Sequence, residues 1–142
     1  MRKEVRYTVQ TEGRDFGKTY LITEFSAEKG ERFAAKIFFA IMNAGVQLPK
    51  GLDKMGMEAL AVAGFDLIVG ALSRISFEVA EPILSEMMEG IQRVPDISRP
   101  ELTRNLLPDD IEEISTRLAL RREVWSINTS FLPAVTGLNT NG

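Results

Sequence analysis

The chain has 142 residues, 44% of them hydrophobic and 26% charged, which is enough to fold around its own core and too apolar for a disordered segment. Its 17 Lys plus Arg against 20 Asp plus Glu leave a net charge of -3, dispersed along the chain, so no basic field favours nucleic acid as the main partner. The absence of cysteine and histidine excludes a disulfide frame, a thiolate nucleophile, a Cys/His zinc site and any His-based catalytic relay.

Met1 to Glu4 lead into the first element without the apolar stretch of a signal peptide, so a cytoplasmic protein is expected. Residues 4–10 alternate, with Val5, Tyr7 and Val9 on one face and Arg6, Thr8 and Gln10 on the other, the pattern of a half-buried strand. A loop from Thr11 to Gly17 and the β-rich run Thr19 to Phe25 complete a hairpin. Gly13 and Gly17 flank Arg14-Asp15-Phe16 and precede Lys18-Thr19, but they are too close for the Walker spacing and lead into a strand, not a helix. A turn with positive-φ glycines is the expected role.

Ser26 offers an N-cap, and Phe33, Ala34, Ile37, Phe38 and Ile41 recur at helical spacing up to a C′ glycine, Gly45, predicting a helix over about 27–44. Gly30 in its first turn weakens it. Residues 46–56, with Pro49, Gly51 and Gly56, form a connection. A second helix, about 57–73, is apolar on most sides and is expected to lie centrally. Its apolar stretch, Ala59 to Leu72, contains Asp66 and falls short of the about 20 residues of a bilayer span, so no membrane partner is expected.

A third helix is predicted over about 81–92, with Pro82 at its start and Ile83, Leu84, Met87, Met88 and Ile91 as its stripe. The prolines between Gln92 and Pro100 end it, and either that segment or Leu102 to Leu107 is a candidate edge strand for the hairpin. The last helix is expected from Pro108, with Ile111, Ile114, Leu118 and Trp125 on its inner face. Asp109, Asp110, Glu112 and Glu113 would occupy its first turn, as the macrodipole favours, instead of binding a metal or acting as paired acid and base. The expected fold is α+β, an N-terminal β-hairpin, extended by short edge strands, packed with about four α-helices. Residues 1–126 would form a single domain and 127–142 a flexible C-terminal tail.

No catalytic, cofactor or metal residues emerge from the sequence. Met55, Met57, Met87 and Met88 are adaptable apolar groups that suit either a core or a helix-binding surface. Phe38 and Phe39 are adjacent on one helix, so one faces the core while the other, Phe39, is a candidate contact for a partner.

Three blocks carry a resemblance: Arg14 through Ala27, Glu31 through Lys36, and Arg104 through Asp110-Ile111-Glu112-Glu113 and on to Leu120-Arg121. In this order they resemble the tail assembly chaperones of long-tailed bacteriophages and prophages, over about residues 4–126. Gly30, and Phe33 where the pattern has Trp, depart from it. The resemblance implies a non-enzymatic protein of the host cytoplasm. Such a protein binds the tape-measure protein, keeps its apolar helical segments soluble and assists assembly of the tail-tube protein. It also implies a longer product made by ribosomal frameshifting. A homo-oligomer is compatible with the sequence, and the alternative from another class is a structural virion subunit, such as a tube, terminator or connector component.

Overall fold

The computed structural model describes residues 1–47 and 59–129, with side chains of the second stretch from residue 64 onward. The order is β1 (Glu4–Thr8), β2 (Thr19–Thr23), α1 (Ala27–Asn43), α2 (Ala59–Leu72), α3 (Phe77–Met87), β3 (Ile91–Val94), β4 (Arg104–Asn105) and α4 (Ile114–Thr129). This is an α+β fold with the expected N-terminal hairpin. The chain forms two compact units, one of Met1–Glu24 with Met87–Ile127, the other of Phe25–Glu86 with the chain from Asn128. Among the described residues no helix is long and apolar enough to cross a membrane.

The first unit is built on a four-stranded antiparallel sheet in the order β1-β2-β3-β4. β2 is hydrogen-bonded on both sides, and Thr19, Tyr20, Leu21 and Ile22 are all buried, which explains why this strand reads as a continuous run without polar alternation. Edge strand β1 exposes Glu4 and Arg6, and the opposite edge, β4, is only two residues long; both features discourage edge-to-edge pairing. The Thr8 and Thr19 hydroxyls hydrogen-bond across the hairpin at 2.8 Å. Gly17, at φ 81°, donates its N–H to the Val9 carbonyl at 2.9 Å and closes the loop in a conformation that favours glycine.

Two helices differ from expectation. α3 starts at Phe77, one turn early, because the Ser76 carbonyl accepts the Val79 and Ala80 N–H groups, and so Pro82 lies inside it. The last residue of its expected stripe, Ile91, belongs instead to β3 opposite Ile22, where the Gly90 carbonyl accepts the Thr23 N–H at 3.0 Å. A three-residue 3-10 turn, Pro108–Asp110, and an extended link separate α4 from Pro108, so α4 begins at Ile114. Its buried residues are Thr116, Leu120, Val124, Trp125 and Ile127. Ile114 is 78% and Leu118 48% exposed, the reverse of the inner face assigned to them. Residue 127, where a tail was expected to begin, lies within the helix, and residues 130–142 are outside the described residues.

In the second unit the Ser26 hydroxyl accepts the Lys29 N–H at 3.2 Å and caps α1, while Gly45 at φ 72° ends it. Phe33, Ile37 and Ile41 form the buried stripe, and Phe33 meets Phe25 edge-on at 5.4 Å. The Asn128 side chain accepts the Phe25 N–H at 2.8 Å. α2 is interrupted by Gly64, at φ 79° and ψ 163°, beyond which Phe65, Ile68 and Leu72 are buried.

Leu120→Ala is expected to lower stability by about 2–4 kcal/mol, as a buried leucine does when truncated, and Leu118→Ala to stay within about 0.5 kcal/mol. Urea unfolding of the two variants checks this assignment of α4's inner face. A Cβ added at Gly30 would meet only the Phe25 Cβ at an ordinary 3.9 Å. Gly30→Ala should therefore raise stability by about 0.5–1 kcal/mol in the same assay.

Candidate partner-binding surface and a buried polar cluster

The hairpin loop and the segment before α4 meet through a buried carboxylate. Asp15 accepts the Glu112 N–H at 2.9 Å and the Glu113 N–H at 2.8 Å, and Lys18 Nζ lies 2.9 Å from the same carboxylate. The amides just before α4 are thus capped by a residue almost a hundred positions earlier, not by a neighbour in sequence. Arg14 adds an exposed clasp, with Nε 3.0 Å from Glu113 Oε1 and Nη2 donating to the Glu112 carbonyl at 2.7 Å.

A second centre forms around Asp110. Arg104 binds its carboxylate bidentately at 2.6 and 2.8 Å, and the Leu107 N–H donates to it at 2.6 Å. Arg93 lies 3.6 Å from it and donates to the Thr19 and Val94 carbonyls, while the Tyr20 hydroxyl donates to the Asp110 carbonyl. The acidic group therefore does not fill the first turn of α4. Asp110 serves the 3-10 turn and two arginines, and Glu113 pairs with Arg14.

Burial alone would raise the Asp15 pKa, but the bonds from Glu112, Lys18, Thr116 and Glu113 outweigh it and hold the carboxyl well below its usual range. Arg104 chiefly, with Leu107 and Arg93 against the opposing effect of burial, lowers Asp110. Burial, with Asp15 second, pushes the Tyr20 phenol up to about 12. These directions keep both aspartates ionised near neutrality, away from the range of a general acid. Among the described residues no group of three or more acids is placed to hold a metal.

The residues singled out for partner binding part company. Phe39, on α1, is 58% exposed, with half-buried Phe38 edge-on to it at 5.8 Å. Met87 is only 2% exposed at the end of α3, which corrects its candidacy: it is a core residue with no face to offer. Met88, in the turn that follows, is half-buried, and Met55 and Met57 lie outside the described residues. Met42, 41% exposed and three residues after Phe39, extends the same outward strip of α1. Helical spacing from Phe39 was the available signal for it. No protein-family model, curated protein or solved structure matches the chain.

A depressed carboxylate stabilises the fold above its unfolded pKa and loses that contribution as pH falls through the folded value. Stability should therefore decline on acidification below about pH 4. Asp15→Asn is expected to cost about 2–4 kcal/mol at neutral pH and to make this acid limb shallower, as thermal melts between neutral and acidic pH would reveal.

Proposed function

We propose that this chain is a tail assembly chaperone of a long-tailed phage or prophage. It acts without catalysis in the host cytoplasm, where it binds the tape-measure protein and assists tail-tube assembly. The observation that carries this reading is that two of the three blocks resembling that family are bonded to each other. Arg14 and Asp15 of the first hold Glu112 and Glu113 of the last, so the likeness follows one connected piece of architecture instead of separate short words.

The exposed pair Phe39 and Met42 supports the binding role. A helical client with apolar residues three or four apart can cover both, and burial yields roughly 25 cal/mol per Å² of apolar surface removed from water. The aromatic ring fixes position, and the thioether adapts to differing client side chains.

Co-expression with the tape-measure protein should keep that client soluble, and Phe39→Asp combined with Met42→Asp should reduce the soluble fraction by about tenfold, the scale of losing one apolar anchor. Circular dichroism must show that the variant keeps its helix and a cooperative melt. Binding should persist in about 0.5 M salt, where screening shortens electrostatic reach to a few Å. A client that is soluble alone, or full rescue by the folded variant, would refute the reading. Stoichiometric recovery of the chain in purified virions would instead identify a structural subunit.

A further inference from the structure

Two exposed helix faces each carry apolar side chains and have opposite charge. On α4, Ile114 and Leu118 stand one turn apart in the outward arc, flanked by exposed Arg117 and Arg122. The acid of this helix, Glu123, lies on the other side of that arc at the helical period. On α3, Phe77 is 72% exposed, and Glu81 and Ser85 follow it along one line with Glu78 beside them. α3 contains no Lys or Arg. One face is thus apolar and basic, and the other apolar and acidic.

We propose that the α4 face of one chain binds the α3 face of a second copy. Phe77 covers the Ile114 and Leu118 side chains, while Glu78 and Glu81 approach Arg117 and Arg122. The two faces differ, so the contact either occurs twice about a two-fold axis in an isologous dimer or repeats head to tail as a heterologous one, and charge complementarity at its rim sets the pairing. The association stands independently of the tape-measure reading, since it uses neither Phe39 nor Met42.

Sedimentation velocity on the full chain tests it. In about 50 mM salt the wild-type mass should rise with concentration, and in about 0.5 M salt the association should weaken several-fold. The charge reversals Arg117→Glu/Arg122→Glu and Glu78→Arg/Glu81→Arg should each leave a folded monomer. An equimolar mixture of the two should associate again, because each supplies the charge the other now needs. All four substitutions in one chain should likewise restore self-association. Should a reversal unfold the protein, Leu118→Ser and Phe77→Ser probe the same faces through exposed positions, and each should weaken association about tenfold. A wild-type monomer at every concentration, folded reversals that associate like wild type, or a mixture that stays monomeric overturns the proposal. So does a monomer that instead binds anionic vesicles through Arg117 and Arg122.

Discussion

The Asp15 carboxylate is the constraint on which the first unit depends. A buried charge without partners is strongly destabilising, and this one is compensated by two backbone amides, a lysine and the Thr116 side chain. Those partners lie far away in sequence, so the hairpin loop and the start of α4 are positioned together. The glycine at position 17 then has a clear purpose, because the loop must turn sharply enough to carry Asp15 to the amides and still return to β2. The adjacent centre extends the same logic. Asp110 gathers Arg104 from β4, Arg93 from β3 and, through its carbonyl, Tyr20 from β2, linking three strands to the turn that leads into the helix.

This dependence explains which parts of the fold were legible in the sequence. The hairpin and α1 are written in local chemistry: alternation in β1, loop glycines, a serine cap at 26 and a terminating glycine at 45. Local signals also located the two later strands, because the prolines after Ile91 break any helix and leave short extended segments, but only β4 is an edge; β3 is paired with β2 and β4 on its two sides. The orientation of α4 was not local. Ile114 and Leu118 form a plausible apolar stripe, but the helix begins only after Glu112 and Glu113 have given their amides to Asp15. Its phase then places Thr116, Leu120 and Val124 inward. A threonine at the start of that inner face, bonded to Asp15, hid the stripe from a reading based on hydrophobic period. Ile91 was misplaced for a related reason, since its partner across the sheet, Ile22, is remote in sequence.

The candidate surface was partly legible for the same cause. Phe39 was legible because Phe38 shares the helical spacing of Phe33, Ile37 and Ile41 while its neighbour falls about 100° away from it, and α1 has locally defined limits. Methionine identity alone could not separate Met87 from Met42. Both are flexible apolar residues near helix ends, and only the direction each helix presents to its surroundings distinguishes the buried one from the exposed one.

Under the two proposals, the exposed surfaces divide labour by chemistry. An aromatic and a thioether on α1 provide a small apolar contact with little charge selectivity, suited to varied helical segments along a long client. Such a contact is weak, because one short strip offers little apolar area against the entropy lost on association. The α3 and α4 faces carry charges of opposite sign, which select a partner and set its register more effectively than they add affinity. Joining chains through the charged faces would place several α1 strips at high effective concentration along one client. Each could then detach readily while the assembly remains bound. Under the two proposals together, reversible holding of a long helical protein would rest on weak apolar contacts repeated along joined chains, without requiring any single tight site.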